Sequence, residues 1–203
     1  MRTPILDLAR PGFHAFCRAY FGLRLAGIDN IPRDGPVIIT PNHQTYADPP
    51  LVSIPVHRPV YYMTWDRLFE IPGLAWAIRR LRAFPVRLES QDARAAREAV
   101  RLLGAGEALM IFPEGGRTPD GSIQPFKPGA FRLAVARGVP ILPVTIDGGT
   151  RSWPPGRILP RPGAIQITYH PVLRPDSATE PRRAAMDLAR RAREVIASAL
   201  PRA

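Results

Sequence analysis

Short apolar runs that end in turn residues alternate along the chain with stretches of helical periodicity. Six of the runs have the length and composition of β-strands. They cover residues 37–40, 60–63, 84–88, 108–112, 141–146 and 164–169. Strands that alternate with helices are typical of an α/β fold. The pattern therefore predicts one α/β domain over residues 1–203, with a mixed sheet flanked by helices.

Three segments between or after these runs carry helix signals. Residues 92–103 are rich in Ala, Arg and Leu and follow Ser90, a candidate N-cap. Residues 129–137 stand between a proline and a glycine, the usual order at the two ends of a helix. Residues 177–200 begin with S-A-T-E, the spacing of a capping box, and continue with an amphipathic pattern. We expect a C-terminal helix there.

The N-terminal segment, residues 1–30, mixes aromatic side chains with arginines. Two interpretations stay open: the segment lies in a bilayer interface, or it packs on the sheet as an ordinary amphipathic helix. For Trp65 and Trp76 we expect burial in the core, because apolar residues follow Trp76 at helical spacings.

The net charge limits the classes of partner that we expect, and the cysteine content bears on the cellular compartment. The 203 residues include 28 Lys+Arg and 17 Asp+Glu, which gives a net charge of +11 and favours an anionic partner. Zinc-finger, helix-turn-helix and RNA-recognition signatures are missing from the sequence, so we expect no nucleic acid. One cysteine, no signal peptide and no spanning apolar run favour a cytoplasmic protein.

The first candidate for chemistry follows the run at residues 37–40. There the sequence Asn42-His43-Gln44-Thr45-Tyr46-Ala47-Asp48 places a histidine and a carboxylate within reach of each other across one turn. A carboxylate that accepts from one imidazole nitrogen leaves the other free to take a proton. Such a pair is a general base, although an isolated His and Asp at this spacing also occur by chance.

A second polar loop follows the run at residues 108–112. It carries Glu114 and Arg117 around Gly115 and Gly116. Glycines allow close approach of a ligand to the backbone, and a guanidinium matches phosphate oxygens with paired donors. Lys127 stands at the predicted start of the next helix, where free amides also favour anions. The loop indicates an anion site, and the alternative is a tight turn with a solvated ion pair.

Four segments together resemble, in order, the four motifs of the 1-acylglycerol-3-phosphate acyltransferase family. The resemblance spans most of residues 37–146 and implies a glycerolphosphate-acyltransferase-like fold. The segments are Asn42-His43 with Asp48, Pro85-Val86-Arg87, Phe112-Pro113-Glu114-Gly115 with Arg117, and the V-P-I-L-P-V stretch at residues 139–144.

The resemblance implies residue roles as well as an activity. His43 and Asp48 would form the catalytic dyad, and the substrate-binding residues would be Asn42, Arg87, Glu114, Gly115, Arg117 and Lys127. The implied reaction moves a fatty acyl group from acyl-CoA or acyl-ACP to the hydroxyl of lysophosphatidic acid, with no cofactor and no metal. An anionic membrane surface at the inner face of the cell membrane would supply the acceptor.

Departures from the family pattern keep other interpretations open. Gly116, Thr118 and Thr45 replace residues that the family more often has, and they lie near the expected acceptor. One alternative keeps the chemistry and changes the acceptor to another lysophospholipid or a hydroxylated lipid. A second alternative is a catalytically silent protein that binds a membrane surface through its positive charge.

Overall fold

The computed structural model describes residues 4–87, 92–154 and 156–201. Seven strands form one sheet, and all six predicted strands are among them, with shifted ends. The strands are β1 (Arg24–Ala26), β2 (Val37–Pro41), β3 (Val60–Trp65), β4 (Ala83–Val86), β5 (Ala108–Met110), β6 (Ile141–Asp147) and β7 (Gln166–Tyr169).

The sheet is mixed, as predicted, and its order is β1-β7-β6-β2-β5-β3-β4. Strands β6, β2, β5, β3 and β4 are mutually parallel, whereas β7 pairs antiparallel with β6 and parallel with β1. The carboxyl ends of the five parallel strands therefore share one edge of the sheet, where the loops that follow them can meet.

Within the described residues, seven α-helices flank the sheet. They are α1 (Pro4–Phe21), α2 (Asp48–Ser53), α3 (Leu74–Arg80), α4 (Ala93–Gly104), α5 (Gly129–Arg137), α6 (Gly149–Ser152) and α7 (Pro181–Ser198). Short 3-10 helices cover Ile28–Asn30 and Asp66–Glu70. None of the described helices combines the length and apolarity needed to cross a membrane.

Two apolar cores cover the two faces of the sheet. Strand β2 supplies residues to both, because successive side chains point to opposite faces: Val37 and Ile39 to one core and Ile38 to the other. Every residue of β2 is buried. This full burial explains the uninterrupted apolar run that predicted the strand, since parallel central strands are covered on both sides.

Helix α1 packs on the sheet through one face and exposes the other. Cys17 and Phe21 are buried in the core together with Leu23, which confirms the packing interpretation for this face. Phe13 and Phe16 point outward and are exposed. The short strand β1 follows at once and was not predicted, because only the middle residue of its three is partly buried.

One expected helix cap turns out differently, and a second falls on a residue outside the described ranges. The prediction that S-A-T-E forms a capping box is wrong. Helix α7 begins at Pro181, and the carboxylate of Glu180 accepts from the amides of Arg182 and Arg183 at 2.9 Å each. Asp92 caps α4 by accepting from two amides of its first turn. Leu88 and the predicted cap Ser90 lie outside the described residues.

The tryptophan prediction is wrong for both residues. Trp65 at the end of β3 is 37% exposed and Trp76 in α3 is 63% exposed. Both belong to the β3–β4 connection, next to β4, which is the last strand of the sheet. At that position fewer neighbouring elements are available to cover a large side chain.

Candidate active site

His43 and Asp48 meet at the carboxyl edge of the sheet, as their spacing predicts. His43 follows β2, and Asp48 is the first residue of α2. The imidazole Nδ1 lies 2.8 Å from the Asp48 carboxylate oxygen Oδ2. The Asp48 side chain is fully buried, whereas the His43 side chain is 18% exposed. The carboxylate of the pair is therefore shielded from solvent, whereas the imidazole is accessible.

Three further donors hold the Asp48 carboxylate. The amides of Gln44 and Thr45 donate to Oδ2 at 2.6 and 2.8 Å, and the Thr45 hydroxyl donates to Oδ1 at 2.6 Å. An ionised carboxylate can only accept, so Nδ1 of His43 carries the proton in this contact. Nε2 is then the nitrogen with the free lone pair.

The loop after β5 wraps His43 from the other side. The Phe112 ring stacks on the imidazole with centroids 3.9 Å apart. The amide of His43 donates to the Glu114 carboxylate at 2.8 Å, and the amide of Thr118 donates to the carbonyl of His43 at 2.9 Å. These contacts fix the backbone and the ring of His43 together.

The carboxylate of Glu114 links two backbone segments by hydrogen bonds. One carboxylate oxygen accepts from His43, and the other accepts from the amide of Gln124 at 2.9 Å. The side chain is buried, and burial raises the pKa of Glu114 although the two amide bonds act in the opposite direction. The structure thus gives Glu114 a positioning contact, not the solvated ion pair with Arg117 that was the alternative. The substrate-binding role that the family resemblance implies for Glu114 stays a prediction.

Arg117 lies over the ring of Tyr46, which is in the loop after β2. The guanidinium carbon is 3.5 Å from the ring centroid. Tyr46 is 60% exposed and meets Trp153 edge to face at 6.3 Å. A stacked guanidinium keeps its N–H donors in the plane of the group and available to an anion. Tyr46 belongs to the same loop as His43, so the stack joins Arg117 to that loop.

Lys127 is brought against the same loop, as predicted. Its amide donates to the carbonyl of Pro113 at 2.7 Å, and its side chain crosses Gly115. A Cβ built on Gly115 would lie 2.5 Å from the Lys127 Nζ, and the φ of +73° is one that side chains rarely adopt. The positive φ favours glycine at position 115, and a larger residue there would displace the Lys127 side chain.

Arg87 stands apart from the other predicted site residues. It follows β4 and is exposed, and its amide donates to Asp92 at 3.1 Å. Strand β4 is three positions from β2 in the sheet, which corresponds to about 14 Å at the usual strand spacing. Arg87 therefore lies at the same edge of the sheet as His43, but three strands away from it.

Asn42 holds two strand ends together. Its amide oxygen accepts from the amide of Ile146 at 2.7 Å, and its amide nitrogen donates to the carbonyl of the same residue at 3.0 Å. The side chain is 1% exposed. We therefore assign Asn42 to positioning His43 against β6, in place of the predicted contact with substrate.

Sequence reasoning missed two residues that support the site. Gln44 is buried, and its side-chain oxygen accepts from the amide of Gly149 at 2.7 Å, a contact that no local pattern reveals. Asp120 accepts from the hydroxyl of the buried Thr118 at 2.7 Å. The Pro-Asp-Gly sequence at residues 119–121 was the available signal, because it is typical of a turn with a bonded Asp side chain.

The remaining candidates contribute nothing to this cluster. Cys17 is buried, and burial raises the pKa of its thiol to about 11, so it has no thiolate character at neutral pH. Across residues 4–87, 92–154 and 156–201, no group of three His, Cys, Asp or Glu side chains is arranged to hold a metal ion.

Comparison with known proteins identifies the family. A family model described as Acyltransferase matches residues 22–147, more than half of the chain. The chain belongs to the acyltransferase family. This confirms the family resemblance that the four motifs indicated, and the match covers all of the loops described above. A chloroplastic 1-acyl-sn-glycerol-3-phosphate acyltransferase of Brassica napus is 30% identical over 166 residues, covering 75% of this chain and 47% of the relative.

Two further relatives extend the comparison. A 1-acyl-sn-glycerol-3-phosphate acyltransferase of Chlamydomonas reinhardtii is 30% identical, covering 90% of this chain and 54% of the relative. The chain thus spans about half the length of these curated relatives. The crystal structure of the 1-acyl-sn-glycerophosphate acyltransferase PlsC from Thermotoga maritima superposes with a TM-score of 0.77 at 28% identity, covering 98% of this chain and 84% of that one. The acyltransferase fold is therefore shared along nearly the whole chain.

Proposed function

We propose that this acyltransferase-family chain moves a fatty acyl group from acyl-CoA or acyl-ACP to the free hydroxyl of lysophosphatidic acid, a step of phospholipid biosynthesis. The observation that carries the proposal is the His43–Asp48 contact, with its buried carboxylate and accessible imidazole. The names of the relatives support the choice of acceptor.

The residues account for each proton in the reaction. Nε2 of His43 takes the hydroxyl proton as the acceptor oxygen attacks the thioester carbonyl. Asp48 stabilises the imidazolium that forms, and the imidazolium then returns the proton to the departing thiolate. A thioester is already activated, so direct attack needs no acyl-enzyme. The buried Cys17 is consistent with this route.

Two cations beside the dyad support a phosphate-bearing acceptor. Arg117 is stacked on Tyr46 from the His43 loop, and Lys127 crosses Gly115 in the Glu114 loop. Both loops join His43 by the contacts described above. A guanidinium and an ammonium placed in this way match the phosphate of a lysolipid, while its hydroxyl lies near the imidazole. Arg87 would serve a part of the substrate farther along the edge.

The acceptor also suggests where the chain works. A lysolipid enters from a bilayer, and the net charge of +11 favours an anionic lipid surface. We therefore place the protein in the cytoplasm, peripheral to the inner face of the cell membrane. The lipid surface and the acyl thioester are its partners in this proposal, and no cofactor enters the reaction.

The test is thiol release from acyl-CoA by the purified chain, with and without lysophosphatidic acid on mixed vesicles. We expect release that depends on the acceptor and falls by about 10²–10⁴-fold in His43→Ala. His57→Ala is the matched control, because His57 is exposed and precedes β3 at the opposite edge of the sheet. Equal losses in both variants, or full activity in a folded His43→Ala, would contradict the proposal.

The same assay addresses the alternative acceptors. Lysophospholipids with other headgroups replace lysophosphatidic acid at equal surface concentration. The hydroxyl of Thr118 donates to Asp120, so this departure from the family pattern faces the loop itself. Faster turnover with another headgroup would reassign the acceptor while keeping the dyad. Absence of turnover with every acceptor by a chain that binds vesicles would favour the silent binder.

A further inference from the structure

The connection between β3 and β4 exposes an unusual number of large apolar side chains. Trp76 is 63% exposed and Ile71 is 49% exposed, and three neighbours in the same connection are between 37% and 38% exposed. We refer to these five residues as the crossover surface: Trp65, Ile71, Leu74, Trp76 and Leu81. Single exposed apolar residues are ordinary, whereas five within 17 residues of one connection make it a candidate interaction surface.

Arginines accompany the aromatic residues of this connection. The guanidinium of Arg80 lies 4.8 Å from the Trp76 ring centroid, and that of Arg67 lies 5.1 Å from the Trp65 ring. Arg79 stacks on Phe69 at 4.9 Å. Each pair presents an apolar ring beside a cation. This is the combination that suits the boundary between acyl chains and anionic headgroups.

The connection begins at the edge that carries the candidate site. Trp65 pairs in register with Val86, the last residue of β4, so it marks the carboxyl end of both strands. The 3-10 helix Asp66–Glu70 starts there and contacts β3, β4 and α3. His43 follows β2 at this same edge. A bilayer that contacts Trp65 and this 3-10 helix, at the start of the crossover surface, would therefore meet the edge of the sheet that carries His43.

We infer that the crossover surface docks the protein on an anionic lipid bilayer. The inference rests on the proposed function in one respect: the acceptor is a lysolipid that must reach His43 from a membrane. Docking itself involves no chemistry and is measured separately. The surface is separate from the exposed aromatic face of α1, which carries Phe13 and Phe16.

Charge favours a bilayer over a second copy of the chain as the occupant. Within residues 65–82, four arginines outnumber the two acidic residues, Asp66 and Glu70, and the whole chain carries +11. Two such surfaces pressed together would bring arginines against arginines, which opposes pairing. An anionic headgroup layer supplies opposite charge and an apolar interior at once.

The experiment measures binding of the full chain to sedimented vesicles of phosphatidylglycerol and phosphatidylcholine. The variants are Trp76→Ser and Leu74→Ser, alone and combined. We expect the double variant to weaken partitioning by at least about tenfold, because each exposed side chain loses a burial contribution on the membrane. Binding by the unmodified chain should weaken on pure phosphatidylcholine vesicles and in high salt.

Matched controls replace equally exposed apolar residues elsewhere. Ile158 and Met186 are 88% and 62% exposed and lie outside the β3–β4 connection. Ile158→Ser and Met186→Ser should bind vesicles as the unmodified chain does. A loss in these controls equal to that in Trp76→Ser would overturn the inference. So would a loss confined to Phe16→Ser, since that would assign binding to α1 alone.

Turnover with a short-chain, water-soluble lysophosphatidic acid separates this inference from the proposed function. The combined Trp76 and Leu74 variant should keep that turnover and lose activity only on vesicles. If vesicle binding falls as expected but no form of the chain turns over either acceptor, the docking inference stands and the proposed function fails. If turnover is normal and the double variant still binds vesicles fully, the inference fails alone. Dimerisation that disappears in Trp76→Ser would also overturn it.

Discussion

The β3–β4 connection begins at the edge of the sheet that carries the loops around His43, yet the two regions are built in opposite ways. Around His43, buried side chains bond to backbone amides, and four donors converge on Asp48. In the connection, large side chains face outward, and the charged groups stack on rings. The first region needs a fixed geometry for proton transfer. The second needs only a surface of suitable composition.

The largest expected effect is the loss of turnover when Asp48, the carboxylate of the dyad, is replaced, and it tests the need for a fixed geometry around His43. Asp48→Asn keeps an oxygen for the amides and Nδ1, and the Thr45 hydroxyl can turn from donor to acceptor, so the loop should stay folded. The charge that stabilises the imidazolium is lost. We expect turnover to fall by about 10²–10⁴-fold with an unchanged circular dichroism spectrum. Turnover within a few-fold of the unmodified chain would remove Asp48 from the mechanism.

The dyad itself follows from local sequence, and so the sequence could predict it. His43 and Asp48 are five positions apart, and the donors to Asp48 stand between them. The alternation of apolar runs likewise predicted six of the seven described strands. These features depend on neighbours along the chain, which a reader of the sequence can see.

Features that depend on distant elements could not be predicted. Asn42 bonds to Ile146, and Gln44 bonds to Gly149, each more than 100 positions away. Trp76 was expected in the core because its own helix carries apolar residues, but exposure is decided by whether another element covers that helix. Glu114 has a family motif around it, yet its two amide partners show that it positions a loop.

Removing that positioning carboxylate should give the next largest effect. Glu114→Ala leaves the amides of His43 and Gln124 without their acceptor. We expect the free energy of unfolding to fall by about 1–3 kcal/mol, the cost of one shielded donor without a partner at His43, because Gln124 is exposed and its amide can bond to water. Urea denaturation measures the change. A decrease in the free energy of unfolding below about 0.5 kcal/mol would show that the two loops keep their positions without the Glu114 carboxylate.

The pH dependence of the same site has a definite sign. Burial raises the pKa of Glu114, so the folded chain holds this proton more tightly than the unfolded chain. The stability that this proton contributes to the folded chain is fully present below about pH 4.3, the usual pKa of a glutamate in an unfolded chain. It is lost as the pH rises through the pKa of Glu114 in the folded chain. Glu114→Gln does not titrate. The stability of the unmodified chain relative to Glu114→Gln should therefore fall from acid to neutral pH, and a flat or rising difference would contradict the assignment.

A smaller effect is expected at the stack between Tyr46 and Arg117. Tyr46→Leu removes the ring that holds the guanidinium 3.5 Å away, whereas Tyr46→Phe keeps it. An exposed cation–π contact contributes about 0.5–1 kcal/mol, so the KM for a phosphate-bearing acceptor should rise by about two- to fivefold in the Leu variant. The kcat and the KM for the thioester should stay constant. Equal effects in Leu and Phe variants would show that the hydroxyl, not the stack, matters.

The smallest change in stability is expected at the most exposed tryptophan of the crossover surface. Trp76→Ala gives up the contact with Arg80, worth about 0.5–1 kcal/mol at an exposed site, and gains about 0.5 kcal/mol of helix propensity in α3. The two contributions nearly offset each other. Phe131→Ala is the contrasting variant, because Phe131 is fully buried and its loss should cost about 3–5 kcal/mol. Urea denaturation of both variants provides the comparison. A loss above about 2 kcal/mol in Trp76→Ala would mean that this side chain is packed in solution, and the contrast between the two regions would fail together with the docking surface.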